Sequence, residues 1–149
     1  MKPQGEKGLT PSSICSCFVL INVRSDTVSE QADIPVYEGS CQCGAVRFTA
    51  RTRLEAPFQC NCSRCRRLNA VMHSVPGDDF VLLGGSEALK TYKFNSHTIA
   101  HQFCTQCGIQ PFAAGSDGQG NTIHVINVHC LNEPRYDRNA ISHFNGADF

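Results

Sequence analysis

Ten cysteines among 149 residues carry the most specific chemistry in this chain. Cys41 and Cys43 are one residue apart, and so are Cys60 and Cys62. Cys62 with Cys65, and Cys104 with Cys107, form C-x-x-C units. Such density indicates either a secreted disulfide scaffold or metal sites in a reducing compartment. Near neighbours make strained disulfides but good chelates, because two thiolates from one tight turn can share an ion. The spacing therefore predicts a cytoplasmic zinc protein. With Cys15, Cys17 and Cys130 set aside, seven cysteines remain, which is four plus three. Cys41/Cys43 and Cys104/Cys107 are each followed by a glycine, Gly44 and Gly108, and could together close one tetrahedral site. Cys60, Cys62 and Cys65 could supply three thiolates from one loop and leave a fourth position free. Spacing alone also allows one closed site from Cys60, Cys62, Cys104 and Cys107, or closure of the triplet by Cys130 or a histidine.

The elements that must hold these thiolates read as β structure. From about Tyr37, short apolar alternations are broken by glycine-rich punctuation. Ala45–Ala50 alternates as a half-buried strand, Phe80–Leu83 reads as a short buried run, and Thr122–Val128 is the strongest strand pattern. Leu89–Phe94 and Ile99–Phe103 flank Asn95-Ser96, a hairpin turn signal. Only Ser63–Ala70 looks helical, with Ser63 or Asn61 as N-cap. The fold class is mostly β: a small zinc-stapled domain of antiparallel sheets with one or two short helical turns. Residues 1–36 read as a poorly ordered extension and residues 37–149 as the domain. The apolar run Ile14–Ile21 is too short, and Glu6 too acidic a neighbour, for an export signal.

Composition narrows the partners. Thirteen basic residues balance thirteen acidic ones, so no global field draws the chain to nucleic acid or anionic membrane, and neither partner is expected. No window approaches the roughly 18 apolar residues of a membrane span. Oligomeric state is not readable from these features.

Four segments follow in one order: Gly39-Ser40-Cys41-Gln42-Cys43-Gly44-Ala45-Val46-Arg47-Phe48, Cys60-Asn61-Cys62-Ser63-Arg64-Cys65-Arg66-Arg67, Phe103-Cys104-Thr105-Gln106-Cys107-Gly108-Ile109-Gln110-Pro111-Phe112, and Asn127-Val128-His129-Cys130-Leu131. The series resembles the glutathione-dependent formaldehyde-activating enzyme family, which includes the centromere protein V type, over about Tyr37 to Phe149. The resemblance implies a fold of coiled β sheets. It implies two zinc ions, a structural one on Cys41, Cys43, Cys104 and Cys107 and a catalytic one on Cys60, Cys62 and Cys65. It also implies a carbon–sulfur lyase of the S-(hydroxymethyl)glutathione synthase type, with a small-molecule thiol, glutathione, and an aldehyde, formaldehyde, as partners. The ending Phe144-Asn145-Gly146-Ala147-Asp148-Phe149 departs from the family's Phe-Asp-Gly-Arg-Asn-Trp.

The chemistry of such a site is thiolate addition to an aldehyde. A free thiol has a pKa near ~8.5, and a metal ion would hold it ionised. Arg64 and Arg67, with Arg66 beside them, could meet the glutathione carboxylates. They cannot all face one way, because adjacent helical residues diverge by about 100°. His73, which follows the triplet most closely, is the candidate for proton transfer. His97, His101, His124, His129 and His143 have no nameable partner in the sequence. The alternative function is a non-catalytic, zinc-stapled interaction module, and a redox sensor built on the triplet is a third reading.

Overall fold

The computed structural model describes residues 33–149, and Cys15, Cys17 and the Ile14–Ile21 run lie outside them. Among the described residues ten strands form two sheets. The smaller is built from β1 (Val36–Ser40), β2 (Arg47–Arg51) and β5 (Phe80–Gly84), in the order β1-β2-β5. The larger contains β3 (Phe58–Cys60), β4 (Met72–Pro76), β6 (Leu89–Tyr92), β7 (Ala100–Cys104), β8 (Phe112–Ser116), β9 (Thr122–Asn127) and β10 (Ser142–Phe144). Its order is β10-β3-β4-β9-β8-β7-β6, antiparallel except for the parallel pair β10 and β3. The one α-helical turn among the described residues, α1, spans Cys65–Leu68. Short 3-10 turns at Gly77–Asp79, Ser86–Ala88, Val128–Cys130, Arg138–Ala140 and Gly146–Asp148 add to the helical content read from sequence.

The sheets pack through their apolar faces. The predicted alternation over Ala45–Ala50, leading into and along β2, puts Val46, Phe48 and Ala50 at 0% exposure, in the core. Phe48, Phe80 and Phe112 meet there with ring centroids 4.7–5.9 Å apart. Each aromatic pair adds about 0.5–1.5 kcal/mol beyond burial. Val75 of β4 and Ile126 of β9 complete this layer. Residues in register on antiparallel strands share a face. His73, Ile126 and Phe112 are in register and therefore face the core. Ser74, Val125, Ala113 and His101 form the adjacent row, which faces the other way.

Three local expectations change. The Phe80–Leu83 run is an alternating strand, with Val81 and Leu83 about half exposed, because successive side chains point to opposite faces and one face of the three-stranded sheet meets solvent. The Asn95-Ser96 turn lies in a longer connection from Tyr92 to Ala100, closed by His97 N–H donating to the Phe94 carbonyl at 3.0 Å. The helix is half the predicted length. Neither Ser63 nor Asn61 caps it: Arg64 occupies the N-cap with no side-chain bond, and Asn69 ends the turn at φ 48°. The physical reason is the cysteine loop itself. The Cys62 sulfur accepts the Cys65 amide at 3.4 Å, so a thiol takes the position a hydroxyl was expected to fill.

Candidate functional site

Two hairpin turns bring the first cysteine cluster together. Cys41 and Cys43 follow β1 and lead to β2, whereas Cys104 ends β7 and Cys107 leads to β8. The two turns repeat one design. Gly44 N–H donates to the Cys41 carbonyl and Gly108 N–H to the Cys104 carbonyl, at 3.1 and 2.8 Å. Both glycines sit at φ 76°, a left-handed conformation that a side chain would strain. Beyond each glycine the chain returns, with Cys41 N–H bonded to the Val46 carbonyl and Cys104 N–H to the Ile109 carbonyl. The four sulfurs lie within 4.8 Å of one another. Cys41 and Cys104 are buried in the core, at 1% and 0% exposure, while Cys43 is exposed.

The second cluster comes from one loop. Cys60 ends β3, Cys65 opens α1, and the sulfurs of Cys60, Cys62 and Cys65 also lie within 4.8 Å of one another. Cys62 N–H points at the Cys60 sulfur and Cys65 N–H at the Cys62 sulfur, both at 3.4 Å. Neither the mixed site nor closure of the triplet by Cys130 or a histidine occurs among the described residues. Cys130 lies half-buried against the core instead, and burial, with the charges of Cys41 and Cys107, pushes its thiol up to about 12.

Both clusters have the electrostatics of a cation site. Burial opposes ionisation of Cys107, yet the Ile109 and Cys43 amides and neighbouring thiols pull it down to about 6. Cys43 receives the Ala45 amide, but burial and the thiols of Cys41, Cys104 and Cys107 push it up to about 11. In the triplet, burial disfavours a charged Cys62, but the Cys65 and Arg64 amides and the flanking thiols outweigh it and lower its pKa. Cys65 is raised by burial and by Cys62 and Cys60. Packed thiols aimed at by amides cannot all ionise unless a cation sits among them, which fits a divalent metal ion in either cluster.

The triplet opens on a cavity of about 1090 Å³ whose wall is the outer face of the larger sheet. Met72, Ser74, Val125, Ala113 and His101 form that wall. The long β6–β7 connection supplies Phe94 and Ile99, the end of β10 supplies Phe144, and the segment after it supplies Phe149. Asn61, between two cysteines, holds that segment: its Nδ2 donates to Asn145 Oδ1 at 2.7 Å and its Oδ1 accepts the Ala147 amide at 2.9 Å. Gly146 thereby lies so close that a β-carbon would stand 2.5 Å from the Cys60 sulfur. Gly146→Ala is expected to displace the Cys60 thiolate and to weaken metal binding at the triplet by roughly 10–100-fold. A competition titration against a chromophoric chelator checks this, with the four-cysteine cluster unaffected.

The residues singled out beside the cysteines separate. His73 is turned away from the cavity by strand alternation; it is buried, its Nε2 lies 2.7 Å from Thr52 Oγ1, and burial lowers its pKa. Arg64 directs Nε and Nη2 to Gln110 Oε1, at 2.9 and 2.6 Å, and stacks 4.9 Å over the Tyr92 ring. Arg67 bonds back to the Ser63 carbonyl. Arg66 is the arginine that lines the cavity. Of the remaining histidines, His101 and His143 line it too, His124 stacks on Phe80 at 4.0 Å, and His129 lies 3.4 Å from the Tyr136 hydroxyl. Gln110, buried and in the cavity wall, was missed by sequence reasoning. Its sequence signal is its place in the Phe103–Phe112 segment, just after the Cys107-Gly108 turn.

A sequence model of the family described as glutathione-dependent formaldehyde-activating enzyme matches residues 36–146. Among solved structures, the chain is similar to the crystal structure of a Rhodobacter sphaeroides protein. The two share 27% sequence identity and a TM-score of 0.62, over 72% of this chain and 99% of that one.

Proposed function

The chain belongs to the glutathione-dependent formaldehyde-activating enzyme family, and from that membership we propose that it is a cytoplasmic carbon–sulfur lyase of the S-(hydroxymethyl)glutathione synthase type. In this reading it binds glutathione as the thiolate and adds it to formaldehyde. The observation that carries the reading is a set of three convergent cysteine sulfurs, Cys60, Cys62 and Cys65, at the wall of a cavity large enough for a tripeptide. Two zinc ions are the metals these clusters suit, since sulfur-only, four-coordinate sites favour zinc. At Cys41, Cys43, Cys104 and Cys107 zinc would supply a cross-link, and at the triplet a charge that keeps the incoming thiol ionised.

The protein's own groups do the rest. The cavity holds thiol and aldehyde together, so addition becomes effectively unimolecular. Amides of Cys62 and Cys65 hold the Cys60 and Cys62 sulfurs in place. Arg66, facing the cavity beside them, is placed to meet a carboxylate of the thiol, whereas Arg64 and Arg67 are engaged elsewhere. Met72, Val125 and Phe144 give the cavity an apolar lining beside the reacting pair.

The test is glutathione-dependent formaldehyde turnover by zinc-loaded protein, followed by exchange NMR, since the uncatalysed reaction also proceeds. Arg66→Ala is expected to raise KM for glutathione roughly tenfold with kcat little changed, as loss of one charge-assisted bond implies. No acceleration over buffer, with metal bound, would sink the reading.

A further inference from the structure

We propose that His101 is a catalytic residue that hydrogen-bonds the aldehyde oxygen through Nε2–H, and that Gln110 and Arg64 hold it in the tautomer this requires. The inference rests on the thiol–aldehyde reading above and adds a residue to it.

Hydrogen-bond logic fixes the proton. A guanidinium has only donors, so the Gln110 side-chain atom facing Arg64 Nε and Nη2, at 2.9 and 2.6 Å, is its oxygen. The other terminal atom of that amide is then the nitrogen, and it faces His101 Nδ1 at 3.4 Å. An amide nitrogen can only donate, so Nδ1 must accept and the ring hydrogen belongs on Nε2. Packing and strand register hold the ring as well. It is buried in the sheet, stacks on Phe94 with centroids 5.3 Å apart, and shares a register row with Ala113, Val125 and Ser74. That row is the cavity wall, so the ring borders the same cavity as the triplet. Arg64, the residue before Cys65, links the two.

Burial, and then the positive charge of Arg64, pull His101 down to about 4, so it is neutral at physiological pH. A neutral imidazole suits this task, because it donates a hydrogen bond to growing negative charge without giving up a proton. The step balances as follows. The thiolate sulfur forms the C–S bond, the carbonyl π pair moves to oxygen, and Nε2–H stabilises that oxygen. The alkoxide then takes a proton from cavity water, the thiol's own proton having left to solvent on ionisation. Because the charge on oxygen grows in the transition state, the bond acts on kcat more than on KM.

The experiment uses the zinc-loaded full chain, ¹⁵N-labelled, with two-bond ¹H–¹⁵N spectra to report which ring nitrogen of His101 is protonated. The expected result is Nε2–H. His101→Phe is expected to lower kcat roughly 10²–10³-fold, with metal content and KM for glutathione retained. Gln110→Glu replaces the donor by an acceptor, so it should move the ring proton to Nδ1 and lower kcat similarly although His101 is still present. With a purely structural His101 the ring proton would still move, but kcat would not fall with it. Protonation at Nδ1 in the parent, or a His101→Phe variant within about twofold of parental kcat, overturns the proposal. A parent that binds zinc but neither makes nor cleaves S-(hydroxymethyl)glutathione overturns the functional reading, and the catalytic claim with it. In that case the ring tautomer is still measured separately.

Discussion

Replacement of Cys60, Cys62 and Cys65 together by serine is expected to remove one of two bound metal ions and to abolish turnover while the fold survives. The three sulfurs converge within 4.8 Å, but all three cysteines are only partly buried and none belongs to the core between the sheets. Serine keeps the size of the side chain and can hydrogen-bond to water, so the loop loses an ion without creating a cavity. The melting temperature should then fall by only a few degrees, the effect of about 1 kcal/mol on a domain of this size. Activity is a different matter. Without the ion a bound thiol returns to a pKa near ~8.5 and is mostly protonated. The loss of several kcal/mol of charge stabilisation lowers kcat by on the order of a thousandfold. Native mass spectrometry gives the ion count, and circular dichroism gives the fold. Retention of two ions, or of full turnover, would show that the triplet is not the catalytic centre.

The contrast between the two cysteine clusters explains why so much of this site was legible from sequence. Chelating pairs are local, so Cys41/Cys43 and Cys104/Cys107 declare themselves within four residues each, and the glycine after each pair marks the turn. The same holds for the β2 alternation, because period-two burial is a property of consecutive residues. What stayed hidden depends on pairing between distant strands. His73 and His101 look alike as histidines near cysteine motifs, and only strand register turns one toward Thr52 and the other into the cavity. Gln110 becomes informative only once Arg64 is seen 46 residues away in sequence but bonded to it. The helix was overestimated for a related reason: the cysteine loop takes residues that the local pattern assigned to a longer helix.

Cys104→Ser is expected to have the opposite outcome from the triplet variant, with loss of one ion and loss of the fold together. Cys104 and Cys41 are buried members of the core, and the sulfurs of their cluster join the β1–β2 turn to the β7–β8 turn, and thus the two sheets. A serine at position 104 cannot replace a thiolate ligand there, and its hydroxyl would be buried among Cys41, Cys43 and the surrounding apolar side chains. Structural zinc contributes apparent binding free energies of about 10–16 kcal/mol in small metal-folded peptides. Whole domains of this size are stable by only about 5–15 kcal/mol. Even a partial loss of the cross-link therefore exhausts the stability of the domain, and the variant should lack a cooperative melting transition at neutral pH. Chelator treatment of the parent should reproduce this in two phases. The three-sulfur triplet gives up its ion first with loss of activity, and the four-sulfur cluster anchored in the core by Cys41 and Cys104 follows with loss of β-sheet signal. Simultaneous loss of both, or a Cys104→Ser protein that melts within a few degrees of the parent, would mean that hydrophobic packing alone holds the two sheets together.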